Sequence, residues 1–295
     1  MTDTSVELSN GVRMPLLALG TAPLCADPGT LATQNPRFVG FLPEQASRIV
    51  HLGLQAGIRH IDTALMYRTQ PKIAGILEQW FADGRLRRED VFLTTKVYHP
   101  PAPSFATDDS NMDMDNMSVD QVADTVRTHF QRCITELGVG YVDLMLLHWP
   151  GSGGGLNTKV HLEHLMEDGA RHRPMVNQLE TSVYIRHDRI VEYCKEKGIV
   201  VQAYSPFGRG VNNLLEDPVV QSVAKKHKKT PGQIALRYII QQGIAPIFLS
   251  SSEERITSNL ESLAFELDGD DMHALASLQK KDGGSWGLPS PYSIS

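Results

Sequence analysis

Asp62, Tyr67, Lys96 and His148 stand at or just beyond the ends of short apolar runs. Asp62 closes Arg59-His60-Ile61-Asp62, and Tyr67 follows in the next loop. Lys96 ends Val91-Phe92-Leu93-Thr94-Thr95-Lys96, and His148 ends Asp143-Leu144-Met145-Leu146-Leu147-His148. A tyrosine with a pKa of about 10 is a poor acid at neutral pH. A lysine cation beside it stabilises the phenolate, and an aspartate pairs with that lysine and holds it in place. A neutral histidine can orient a substrate oxygen and assist proton transfer. Together the four suit protonation of a carbonyl oxygen while a nicotinamide delivers hydride to the carbon. Taken singly, each has an ordinary structural reading; the set gains its meaning from sitting at successive run ends.

The elements that must position these residues are legible as an alternation. Apolar runs at 16–19, 60–63, 91–95, 142–147, 175–179, 200–204 and 246–249 read as strands. Amphipathic stretches near 44–57, 72–83, 118–137, 160–168, 187–197, 217–228, 231–242 and 253–263 read as helices. Strands each followed by a helix imply a parallel sheet covered by helices, and in a barrel the residues at strand ends share one mouth. Ser118 with Gln121 forms a capping box, Gly57 and Gly198 mark helix ends, and Thr230-Pro231 splits one helical region. Ahead of the alternation, Asn10-Gly11 between Val6–Leu8 and Val12–Met14 reads as a tight hairpin.

Bulk properties exclude other classes. The 295 residues, 41% of them hydrophobic, can bury one large core, and the whole chain reads as a single domain over 1–295. A net charge of −6 with dispersed Lys and Arg argues against a nucleic-acid surface. No stretch approaches the ~20 apolar residues that span a bilayer, and no leader is evident, so a cytoplasmic protein is expected. Cys25, Cys133 and Cys194 have no metal or disulfide spacing. The long segments 22–43 and 99–117 follow strands and belong at the mouth. The Asp/Met run 111–117 lacks the glycine and closing glutamate of a calcium loop, so no metal is expected.

Several stretches, in order, resemble the aldo-keto reductase family: Gly57-Ile58-Arg59-His60-Ile61-Asp62-Thr63-Ala64, Arg88-Glu89-Asp90-Val91-Phe92 with Lys96, Tyr141-Val142-Asp143-Leu144 through His148-Trp149-Pro150, Asn177-Gln178-Leu179-Glu180, and Ala203-Tyr204-Ser205-Pro206-Phe207-Gly208. The resemblance covers nearly the whole chain. It implies a TIM-type (β/α)8 barrel with Tyr67 as proton donor, Lys96 and Asp62 as its tuning pair, and His148 orienting the carbonyl. It also implies that Gln178 holds the nicotinamide amide, Tyr204 stacks on the ring, and Ser205, Phe207 and Gly208 line the pyrophosphate. Ser250, Arg255 and Asn259 match the adenosine end. NADPH is the implied cofactor and a small-molecule carbonyl compound the implied substrate, with the chain a monomer. NADH is the alternative cofactor, because Leu249 stands where the family has a lysine for the 2′-phosphate.

One departure is large. The family has a helix and a strand between the His-Trp-Pro corner and the helix preceding Asn-Gln-x-Glu. Here a glycine-rich joint at 151–155 leads straight to residues 158–168, which already read as the later helix. The fourth helix and fifth strand are missing, leaving seven parallel strands plus the hairpin. Deleting a strand from a closed wall leaves two unpaired edges, so an incomplete, open barrel is expected. Two functional readings follow: a carbonyl reductase, or a catalytically silent relative that binds nucleotide or a partner.

Overall fold

The computed structural model describes residues 4–22, 43–97, 118–148, 173–208 and 213–280. The segments at the mouth, the expected helix at 160–168 and the tail beyond 280 lie largely or wholly outside these residues. At the start, β1 (Ser5–Glu7) and β2 (Arg13–Pro15) form the expected antiparallel hairpin. Gly11 sits in its turn at φ +83°, where a side chain would be strained.

Seven parallel strands follow: β3 (Ala18–Gly20), β4 (His60–Asp62), β5 (Phe92–Val97), β6 (Leu144–Leu147), β7 (Val176–Glu180), β8 (Val200–Tyr204) and β9 (Ile244–Phe248). Between them run the helices α1 (Ala46–Ala56), α2 (Gln70–Ala82), α3 (Val119–Leu137), α4 (Asp188–Glu196), α5 (Pro218–His227) and α6 (Pro231–Gln241), and α7 (Glu253–Leu260) follows β9.

Local chemistry sets their ends. Ser118 Oγ accepts from the Gln121 amide while Gln121 Oε1 accepts from the Ser118 amide, the reciprocal box that starts α3. Gly57 ends α1 in the left-handed region at φ +102°. Lys228 closes α5 in the same region, and Thr230 and Gln233 cap α6, so the split falls at the proline as expected. One helix was not anticipated, α8 (Gly269–Ala276), capped by Asp268. Its eight residues are too few for a clear period.

The strand order is β6-β5-β4-β3-β9-β8-β7. Among the described residues β6 and β7 each pair on one side only, with β5 and β8 respectively. The sheet is therefore an incomplete (β/α)8 barrel with an opening between β6 and β7. It nevertheless curls. Gln178 of β7 donates Nε2 to Asp62 Oδ2 of β4 at 3.0 Å. In a flat sheet the four interstrand steps between them would separate the strands by roughly 19 Å.

The inside of the curl explains why it holds. Met14 and Leu8 from the hairpin region pack in one buried cluster with Phe92 of β5, Val176 of β7 and Ala245 of β9, flanked by Leu144, Leu146 and Val200. Side chains from both arms of the sheet thus share one apolar interior, at about 25 cal/mol per Å² removed from water. The outer faces of the strands bury against α1, α2 and α4–α8.

Protection is weakest at the opening. Leu147 is 54% exposed and Phe130 on α3 42%, whereas β4 and β5 are wholly buried. Native-state hydrogen exchange should show Leu144–Leu147 amides exchanging faster than those of His60–Asp62. Equal protection in the two strands would mean that the β6 edge is covered.

Candidate active site

The four reactive residues meet at the C-terminal ends of β4, β5 and β6. Asp62 is the last residue of β4, and Tyr67 ends the single 3-10 turn Leu65–Tyr67 that follows. Lys96 lies near the end of β5, and His148 follows β6, where its backbone N–H reaches Val97 O at 3.2 Å. The pairing register aligns Asp62 with Thr94, two residues short of Lys96. That offset brings the lysine to the strand-end carboxylate.

Lys96 is 3% exposed, so its ammonium must find partners inside the protein. Nζ donates to Asp62 Oδ1 at 2.6 Å and to the Thr63 carbonyl at 2.9 Å, and it hydrogen-bonds the Tyr67 side chain. Burial works to strip its proton, but Asp62 and then Tyr67 outweigh it, holding the lysine pKa above the usual value. The Tyr67 ring lies 5.1 Å from Nζ and meets the His148 ring edge-to-face at 5.5 Å. Burial, and then the Lys96 charge, push the His148 pKa down to about 3, so the imidazole is neutral at pH 7. Its Nδ1 is buried with no hydrogen-bond partner among the described residues, so no protein group there fixes the tautomer.

The residues expected to hold the dinucleotide lie along the other arm. Gln178 and Tyr204 sit on neighbouring strands β7 and β8. Gln178 spends Nε2 on Asp62 and, at 3.3 Å, on Gln202 Oε1, leaving its carbonyl for a ligand amide. After Tyr204 the chain turns sharply, with Ser205 at φ +53° and Gly208 at φ +63°. The Gly208 amide bonds to Ser205 O at 2.9 Å. Phe207 and Asn259 flank the same point of α6, Gly232, whose Cβ would lie 3.7 Å and 3.6 Å from them. Beyond β9, Ser250 Oγ accepts from Arg255 Nε at 3.3 Å. An amide, an aromatic ring, a tight backbone turn, a buried hydroxyl and a guanidinium in sequence fit a nicotinamide dinucleotide phosphate.

A sequence model described as "Aldo/keto reductase family" matches residues 29–170 and again 157–280. The chain belongs to the aldo/keto reductase family. The two matches meet near 157–170, around the place where the missing unit would stand. Aldo-keto reductase family 1 member C15 of Rattus norvegicus is 28% identical over 328 aligned positions, covering 94% of this chain and 91% of the relative. The rabbit (Oryctolagus cuniculus) protein named prostaglandin-E(2) 9-reductase is 27% identical over 335, covering 93% and 91%. Both alignments are longer than the 295 residues of this chain, so the relatives carry residues that it lacks. A Bombyx mori aldo-keto reductase in complex with NADP superimposes with a TM-score of 0.73 at 25% identity, covering 99% of each chain.

Five residues around this aldo/keto reductase site were not anticipated. Thr63 supplies a carbonyl to Lys96, which no side-chain pattern announces. Gln202, fully buried, orients Gln178 and itself donates to Met14 Sδ at 3.6 Å. Its signal was present: a glutamine inside the apolar run Val200–Tyr204. Behind Lys96, Thr95 Oγ1 donates to Gln70 Oε1 at 2.8 Å, and Gln70 Nε2 to Glu136 at 2.9 Å. That chain of polar groups ties β5 to α2 and α3. His60, by contrast, is structural, bonded to Pro15 O and Thr94 Oγ1 at 2.9 Å each.

His148, His60 and His187 all have pKa values lowered mainly by burial. Above the ordinary value of 6.5 each is neutral folded or unfolded, and its contribution to stability is complete. As pH falls below 6.5 the unfolded chain takes protons that folded His148 refuses until about pH 3, so stability is lost across that window. Melting temperatures from roughly pH 7 to pH 4 should fall less steeply for His148→Gln, by about one proton's worth of linkage. An unchanged slope would mean that His148 already protonates in the fold.

Proposed function

We propose that this aldo/keto reductase reduces aldehydes or ketones to alcohols with NADPH, taking the proton from Tyr67. The observation that carries this reading is the buried Lys96 ammonium, locked between Asp62 and Thr63 and in contact with the Tyr67 phenol. When bound, a reduced nicotinamide supplies the hydride.

The residues divide the remaining work. His148, neutral at pH 7, offers an N–H to the substrate oxygen and carries no charge that would compete with the proton donor. Tyr67 releases its phenolic proton to the same oxygen as negative charge builds there. Lys96 stabilises the phenolate left behind, and Asp62 keeps Lys96 protonated and aimed. Gln178 and Tyr204 position the nicotinamide, Ser205, Phe207 and Gly208 its pyrophosphate, and Ser250, Arg255 and Asn259 the adenosine end. The small-molecule substrate enters at the C-terminal ends of the strands. The rabbit relative's name denotes a prostaglandin reductase, so cyclic ketones belong in the assay beside an activated aromatic aldehyde.

The opening between β6 and β7 favours one other reading, a relative that holds nucleotide without turnover. NADPH oxidation separates the two. Tyr67→Phe should lower turnover by at least about a hundredfold with little change in nucleotide affinity. Nucleotide-induced fluorescence quenching with no reduction by the unaltered protein would instead establish the silent reading.

A further inference from the structure

Leu249 is partly buried and packs on the apolar cluster of Leu17, Phe248 and Ile256, so the position of the expected lysine offers no cation. A different element brings one to the same loop. Arg48, exposed in the first turn of α1, extends Nη1 to the backbone carbonyl of Ser251 at 3.5 Å, 203 residues away in sequence. Arg255, from α7, donates to the adjacent Ser250 Oγ at 3.3 Å. Two guanidinium groups from separate helices are thereby anchored on consecutive residues, next to a hydroxyl on a residue only 3% exposed.

Neither arginine forms an ion pair among the described residues, although Glu253 and Glu254 open α7 and Glu44 precedes α1. Neither charge is neutralised by a carboxylate contact there, so a dianion at this loop would be attracted by both. The Arg48 contact is long for a hydrogen bond and uses one of five N–H donors, so most of its donor capacity is unspent. A phosphate monoester with several acceptor oxygens matches a pair of guanidinium forks.

We infer that Arg48 is a specificity-determining contact for the 2′-phosphate of NADPH, taking the part of the lysine that Leu249 replaces. The inference rests on the NADPH reading above and adds to it a residue on α1. A purely structural Arg48, stapling α1 to the loop after β9, would make no distinction between nucleotides with and without that phosphate.

The test is equilibrium binding of NADPH, NADH and adenosine 2′,5′-bisphosphate to the full chain, by fluorescence quenching or calorimetry. It compares the unaltered protein with Arg48→Met and Arg48→Lys. Arg48→Met should weaken NADPH and the bisphosphate about tenfold and leave NADH unchanged, a gap that narrows at high salt because the site is exposed. Arg48→Lys should recover part of the loss. Parallel loss of NADH and NADPH binding, or no loss of either in Arg48→Met, would overturn the assignment while leaving the reductase reading intact. Failure of the unaltered chain to bind either dinucleotide would overturn the cofactor reading itself, and this inference with it.

Discussion

An ammonium ion buried among strands is tolerated only where its charge is neutralised and its donors are used, since the desolvation penalty is several kcal/mol per ion. Lys96 meets that condition through the Asp62 carboxylate, the Thr63 carbonyl and the Tyr67 side chain. Asp62 Oδ1 takes the lysine and Oδ2 takes the Gln178 amide, so a single side chain joins β4 to β5 beside it and to β7 across the lumen. The same carboxylate holds Lys96, proposed to serve proton transfer, on one arm and Gln178, proposed to meet the nicotinamide, on the other in a common frame. Removing it would leave a buried cation uncompensated and release Gln178 together, so its proposed catalytic role cannot be separated from its architectural one.

That frame exists only because the sheet bends. Seven strands with an open side cannot rely on a closed ladder of hydrogen bonds to set their curvature. Here the interior does it: Met14 and Leu8 from the hairpin region contact strands of both arms, and Gln202 reaches Met14 as well. The hairpin thus acts as the floor against which both arms lean. The opening falls between His148 and Gln178. It removes wall from between the two halves of the proposed site, and leaves each half on contiguous, hydrogen-bonded strands, β4–β6 carrying the residues proposed for proton chemistry and β7–β9 those proposed for the dinucleotide. A unit lost from within either set would have cut through it.

Much of this was written locally. The capping residues Ser118 and Thr230, the glycine at 57 and the alternation of apolar runs with helical periods act within a few residues of themselves, so they place elements to within about two or three positions. Strand ends carrying Asp62, Lys96 and His148 follow directly, because a parallel strand delivers its last residues to one rim. The family resemblance added the dinucleotide residues by position, and the chain's seven strands and hairpin were countable from the same runs. The short helix α8 was not readable, since two turns of mixed polarity carry no distinctive period.

Sequence by itself therefore determined which residue types stand at which strand ends, and that one strand was missing from the count. Only the tertiary structure decided that the remaining sheet would still curl, that Gln178 would spend its amide on Asp62, and that Arg48 would meet Ser251. The physical reason is range. Turn chemistry and periodicity act between neighbours along the chain. The curvature of a sheet, and any contact across its lumen or between a helix and a loop 203 residues away, is a sum over packing of the whole interior, which no local segment encodes.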